Sequence, residues 1–165
     1  TASQVSLVRA DINFVVREAV MEFFPKRSPV SLEWHLAEDL PEVLVDSRRF
    51  KRAVSEIVEN ALSHMESGAL VIKTGLPTPE LLNQIRFKPV GDYVFASFAD
   101  CGPGIPADQK RQIFDPFFSS RAKGMGLGLS IVKGILDAHG GTVAEIGEPG
   151  TGAEFVFLLP VSERQ

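Results

Sequence analysis

Apolar side chains recur at Ile12, Val15, Val16, Ala19, Val20 and Phe23, the spacing of one helix face, so residues 9–24 are expected to be helical until Pro25 ends the pattern. The rhythm then changes. Val30-Ser31-Leu32-Glu33-Trp34-His35-Leu36 alternates apolar with polar and reads as a strand. Asp46 is placed to cap a long helix running to about Met65, with Val54, Val58, Ala61 and Met65 along one stripe and Ile57 and Leu62 beside it. Glu56, Asn60 and His64, at i, i+4 and i+8, stack on another face of the same helix, so core and polar chemistry occupy separate sides.

Residues 69–74 and 92–99 read as strands. The Pro-containing stretch between them, 76–89, is longer than a tight hairpin needs and reads as an insertion with a helical turn at 80–84. Ile131, Val132, Ile135, Leu136 and His139 mark a further helix, closed by Gly140-Gly141, and strands at 142–146 and 154–159 follow. Helices alternating with hairpin-forming strands predict a two-layer α/β (α+β) sandwich. Its mixed, mostly antiparallel sheet should have about five strands, with about three helices on one face.

A chain of 165 residues with 44% hydrophobic content is expected to form one domain, residues 1–165, with a real core. The net charge of −4 offers no basic footprint for nucleic acid. Cys101 is the only cysteine, so an internal disulfide and a cysteine-based zinc cluster are excluded, and a reducing, cytoplasmic setting fits. No run of 18 apolar residues and no signal peptide is visible, so no membrane contact is expected of this domain. The start at Thr1 suggests a domain excised from a longer parent, which this reading leaves free to be membrane-anchored.

The most informative segment is Lys123-Gly124-Met125-Gly126-Leu127-Gly128-Leu129-Ser130, where alternate glycines lead into an apolar helix pattern with no Walker lysine. Such a stretch is either a plain turn or a phosphate loop. Unpaired N–H groups and the helix dipole attract anions, and glycines let the chain approach a polyphosphate closely. Its neighbours favour the second reading: Glu56-Ile57-Val58-Glu59-Asn60, Asp100-Cys101-Gly102-Pro103-Gly104 and Phe114-Asp115-Pro116-Phe117-Phe118 upstream, Gly150-Thr151-Gly152 downstream. Residues 102–107 also satisfy G-x-G-x-x-A, but Pro103 and Pro106 interrupt the turn and no βαβ unit follows, which argues against a dinucleotide fold.

In this order the motifs resemble the ATP-binding catalytic domain of sensor histidine kinases, within the GHKL superfamily, and the likeness covers nearly the whole chain. The segment around Asn60 resembles the N box, Asp100 to Gly104 the G1 box, Phe114 to Phe118 the F box and Gly124 to Gly128 the G2 box. The resemblance implies the GHKL ATP-binding fold, ATP and Mg²⁺ as ligands, and transfer of the γ-phosphoryl group to a histidine. Only Ser119-Ser120-Arg121-Ala122-Lys123 separates Phe118 from Gly124, a short lid like that of the nitrogen-regulatory subgroup.

Asn60 is implied as the Mg²⁺ ligand, a role that suits a neutral carboxamide oxygen. Glu56 is implied in a supporting catalytic role, holding a metal-bound water or acting as a base; a solvated helix face is its plain alternative. His64 either reaches the phosphates or is structural. Asp100 is implied to accept from the adenine amino group, which guanine cannot donate. The nucleotide set implied by the resemblance also includes Gly102, Gly104, Ile105, Phe118, Gly124, Met125, Gly126, Leu127, Gly128, Leu129 and Ala153, with Arg121 and Lys123 as the cations that meet the phosphates. Two departures stand out: Cys101 replaces a common Asn, and Ala153 replaces a usual Thr whose hydroxyl helps a water hold adenine.

None of His35, His64 and His139 has the acidic-and-basic context of a phosphoacceptor. The implied partner is therefore a histidine-bearing dimerisation domain of the same parent, absent from these residues, with a response-regulator receiver domain reached indirectly. Two alternatives remain open: an anti-sigma-factor serine kinase, whose N box Ser55 to Ala61 also resembles, and a non-catalytic adenine-nucleotide-sensing domain.

Overall fold

The computed structural model describes residues 5–118 and 127–162. In chain order it contains β1 (Val8–Ala10), α1 (Ile12–Phe23), β2 (Val30–Leu36), β3 (Val43–Val45), α2 (Ser47–His64), β4 (Gly68–Gly75), α3 (Pro79–Ile85) and β5 (Tyr93–Ala99). Two single 3₁₀ turns follow, at Ala107–Gln109 and Gln112–Phe114, then α4 (Gly128–Ala138), β6 (Thr142–Glu145) and β7 (Glu154–Pro160). The main sheet runs β2-β4-β5-β7-β6 and is antiparallel except for the β2/β4 pair. This is the expected mixed five-stranded sheet. β1 and β3 form a separate antiparallel ribbon, joined to the end of β7 by a bridge from Val43 to Val161.

Side chains alternate across each strand, so one face of the sheet carries Leu70 and Ile72 of β4, Val94, Ala96 and Phe98 of β5, and Phe155, Phe157 and Leu159 of β7. The apolar stripes of α1, α2 and α4 pack on that face. Phe157 sits at the centre, edge-on to Phe50 of α2 at 5.9 Å and tilted against Phe98 at 5.2 Å. Fully burying such a ring contributes about 1.5–3 kcal/mol relative to leaving it in water, enough to fix α2 over the middle of the sheet.

Caps set the helix ends. The carboxylate of Asp11 accepts from the Asn13 N–H at 2.9 Å, and that of Asp46 from the Arg49 N–H at 3.2 Å, so α1 and α2 each start where a side chain satisfies an orphan donor. At the end of α4, Gly140 adopts φ +77° and donates to the Asp137 carbonyl, while Gly141 donates to Leu136. That pair of bonds is a Schellman ending. Gly141 is also required sterically, because a Cβ there would lie 1.8 Å from the Leu158 carbonyl oxygen.

The insertion holds α3, capped by Thr78, whose hydroxyl accepts from the Leu81 N–H at 3.1 Å. This is the helical turn expected at 80–84; the face of the sheet that it covers could not be read from periodicity. Thr78, Leu81 and Gln84 share a groove with Phe95, Ser97 and Val156, side chains on the face of the sheet opposite the other three helices. The edge-on contact of Phe87 with Tyr93 at 5.2 Å fastens the return of the insertion to the start of β5. Three helices thus share one face, as expected, and a short fourth covers part of the other.

Candidate functional site

The polar face of α2 is the spine of the site. At its N-terminal end Glu56 approaches the start of α4 so closely that a Cβ on Gly128 would lie 2.6 Å from Oε1. At its C-terminal end a Cβ on Gly102 would lie 2.7 Å from the His64 carbonyl oxygen and 3.1 Å from its Cβ. The contact at Gly102 is to backbone, so glycine is needed there for the chain to come this near, whereas the contact at Gly128 is to the end of a flexible side chain. Gly128 and Gly102 are thereby brought against opposite ends of one helix face, with Asn60 between them.

Asn60 is half-buried, and its carboxamide has no hydrogen-bond partner among the described residues. The backbone carbonyl oxygen of Asn60 accepts from Ser63 Oγ at 2.8 Å and contacts His64 Nδ1 at 2.7 Å. A proton on Nδ1 makes that contact a hydrogen bond and leaves Nε2 with no partner among the described residues. Glu56 is engaged: the Arg52 guanidinium lies 2.8 Å from Oε2, one helical turn away, which leaves Oε1 facing Gly128.

Asp100 follows the last residue of β5, and its backbone N–H donates to the Ala153 carbonyl at 2.8 Å. Its Oδ1 accepts two backbone N–H groups, from Gly102 and Ala153, each at 2.9 Å. Oδ2 has no partner among the described residues. The carboxylate is therefore fixed through one oxygen while the other stays available, and Ala153 contributes its backbone N–H rather than a hydroxyl. Gly152, at φ +140°, leaves no room for a side chain, since its Cβ would meet the Asp100 carbonyl oxygen at 2.1 Å. Gly104, at φ +79°, approaches the Gly152 carbonyl oxygen in the same way, and Gly150 donates to the Pro103 carbonyl at 2.8 Å. The Asp100 loop and the 146–153 turn are thus built as one unit.

Leu127 precedes α4 and supplies no side-chain cap, so the first N–H groups of the helix are not met by a capping oxygen among the described residues. Leu129, Ile105 and Phe118 are partly buried against the core. Phe114 packs edge-on to Phe155 at 6.2 Å, whereas Phe117 is 74% exposed in a left-handed conformation, φ +66°. The structure thus gathers Glu56, Asn60, His64, Asp100, Gly102, Gly104 and Ala153, with Gly128 at the head of α4, around one helix face. Arg121, Lys123, Gly124, Met125 and Gly126 lie outside the described residues.

Sequence reasoning missed three charged residues that pair in or beside this region. Arg52 was detectable as the i−4 partner of Glu56. Lys110 and Glu145 were not: they pair across 35 residues, and Glu145 lies within a strand that reads as ordinary β-structure.

This architecture, an α/β sandwich whose central helix carries Asn60 between Gly102 and Gly128, is that of a nucleotide-binding ATPase domain. The chain belongs to the histidine kinase-, DNA gyrase B- and HSP90-like ATPase family, whose model matches residues 45–163. Its relatives are sensor kinases. It is 33% identical to the alginate biosynthesis sensor protein KinB of Pseudomonas aeruginosa over 162 residues, which cover 96% of this chain and 25% of the relative. It is 32% identical to the adaptive-response sensory kinase SasA of Synechococcus sp. (strain CC9311) over 164 residues, covering 95% of this chain and 40% of that protein. The chain therefore spans between a quarter and two fifths of the length of these relatives. Among solved structures, full-length ShkA in complex with AMPPNP matches with a TM-score of 0.76 at 29% identity, over 98% of this chain and 32% of that one. The catalytic domain of the histidine kinase ThkA matches with a TM-score of 0.76 at 27% identity, over 95% of this chain and 97% of that one.

Proposed function

We propose that this chain is the ATP-binding catalytic domain of a two-component sensor kinase, which binds MgATP and presents the γ-phosphate to a histidine on a separate dimerisation domain of the same parent. The observation that carries the reading is the single face of α2 on which Glu56 meets Gly128 and His64 meets Gly102. A nucleotide spanning that face puts its base at Asp100 and its phosphates at the head of α4. The unengaged Oδ2 of Asp100 suits an adenine amino group and faces a carbonyl if guanine is offered. The uncapped N–H groups at the start of α4 suit phosphate oxygens. Arg121 and Lys123 are proposed to add cationic contacts to the phosphates.

The donor set fits Mg²⁺. No cluster of three or more His, Cys, Asp or Glu side chains forms a metal site among the described residues, and this ion takes most of its ligands from water and phosphate, with one or two from protein. The free carboxamide of Asn60 is the direct ligand we propose, with Glu56 acting through water. When bound, the ion neutralises charge on the phosphates. The protein's share is placement: Asp100 fixes the base, the head of α4 orients the phosphates, and the pairing with Arg52 holds Glu56 at that end of the site.

The acceptor is proposed to lie outside these residues. His35 is exposed and pairs with Glu33, His64 bonds within its own helix, and His139 is 4% exposed with both ring nitrogens engaged. The test is incubation with γ-labelled ATP, with and without the parent's histidine-bearing domain. Acid-labile label on that domain is the expected outcome. Label on this chain alone contradicts the reading, and acid-stable label on an anti-sigma-factor antagonist supports a serine kinase.

A further inference from the structure

Glu145 is a carboxylate in an unusual place. It points inward from β6, its side chain is fully excluded from solvent, and all its partners are accounted for: Lys110 Nζ meets Oε1, and the backbone N–H groups of Gly147 and Glu154 donate to Oε2 at 2.8 and 3.0 Å. Lys110 also donates to the Gly147 carbonyl at 2.7 Å. The two side chains therefore hold both backbone polar groups of Gly147 together with the N–H that opens β7.

These residues join two parts of the site that are distant in sequence. Lys110 lies between the two 3₁₀ turns that lead from the Asp100 loop to Phe114–Phe118. Gly147 begins the turn that ends at Ala153, whose N–H fixes Asp100 Oδ1 and whose neighbour Gly152 packs on the Asp100 carbonyl. Gly147 has no slack of its own, since a Cβ there would lie 2.3 Å from the Gly152 carbonyl oxygen. Burying an ion pair contributes little net stability compared with an apolar pair of the same size. What it supplies here is one carboxylate oxygen that accepts two N–H groups and one donor contact to the Gly147 carbonyl, all aimed at one turn.

We propose that Lys110 and Glu145 are positioning residues for the adenine side of the nucleotide site: they hold the 146–153 turn in the register that aims Asp100, and so set nucleotide affinity without touching the nucleotide. The proposal rests on the nucleotide-binding reading above. It requires the hydrogen bonds these two side chains make to the turn, not their charges.

The experiment compares two charge-free double variants of this chain, K110M/E145Q and K110M/E145M, by calorimetric titration with MgATP well below their melting temperatures, alongside thermal melting. The amide oxygen introduced by E145Q can still accept from Gly147 and Glu154, so that variant, which loses only the Lys110 contact to the Gly147 carbonyl, should bind about threefold more weakly than wild type. The double Met variant leaves both N–H groups unmet and should bind about tenfold more weakly, as losing a buried acceptor implies. Equal affinities for the two variants overturn the proposal, as does a lower melting temperature with unchanged affinity, which marks a purely structural pair. Lys110→Ala, which removes a partly exposed cation, covers the case in which the double Met variant does not fold: it should weaken binding at least threefold, and unchanged affinity overturns the proposal. Wild-type protein that binds no MgATP refutes the nucleotide reading itself and the positioning role with it, a result separable from any difference between variants.

Discussion

The ring of His139 accepts a hydrogen bond from the backbone N–H of Asp46 at 3.0 Å, although 93 residues separate them, and its other nitrogen lies 2.8 Å from the Ile135 carbonyl oxygen. One imidazole at the end of α4 thus holds the N-cap of α2. These helices carry the polar face with Asn60 and the uncapped end at Gly128, so the contact sets their relative placement. With a proton on Nδ1 the geometry is complete: Nδ1 donates to Ile135 and Nε2 accepts from Asp46.

His139→Ala leaves the Asp46 N–H buried without an acceptor and opens a cavity at the end of α4. The variant should lose at least about 1–3 kcal/mol of stability, the range for a stranded donor. Urea unfolding measures it. A change no larger than that of a neutral surface substitution would show that the bond is incidental.

Asp46 makes stability depend on acid. Burial pushes its carboxyl pKa up, but hydrogen bonds from the Ser6 and Arg49 N–H groups and the Arg49 charge outweigh that effect, and the net shift is downward. A lowered folded pKa gives stability that is fully present above the unfolded value of about 3.9 and is lost as pH falls through the folded value. Asp46→Asn keeps a capping oxygen but cannot ionise. Its unfolding free energy should therefore fall less steeply than that of wild type below about pH 4; parallel acid limbs would remove Asp46 from the account.

Asp100→Asn turns part of the acceptor into a donor and should weaken ATP binding by about 1–3 kcal/mol through an unpaired polar group. Wild type should prefer ATP to GTP. Calorimetry with both nucleotides tests the pair of statements, and equal wild-type affinity for the two would refute the proposed role of Oδ2.

Asn60→Ala should abolish the Mg²⁺ dependence of nucleotide affinity while circular dichroism stays unchanged, because the carboxamide has no structural hydrogen bond among the described residues to lose. The check is titration with Mg²⁺ and with chelator. If the metal effect survives in the mutant, the cation is held elsewhere.

Much of this molecule is determined locally. The 3.6-residue stripes of α1, α2 and α4, the alternation of β2, the capping carboxylate of Asp46 and the Gly140-Gly141 ending are each encoded within a few residues, because the forces involved act along the chain. The stacking of Glu56, Asn60 and His64 follows in the same way from helix geometry alone. Other features carry no local signature. β1 and β3 are three residues each, too short for a period to register, and exist because each pairs with the other. The parallel pairing of β2 with β4, the face chosen by α3, and the union of the Asp100 loop with the 146–153 turn are contacts between distant segments. A histidine that reads as a helix end, and a Lys–Glu pair that reads as two ordinary charges, take on their roles only when burial removes water and makes an unmet hydrogen bond costly. The sequence could specify those residues, but only tertiary packing could assign their partners.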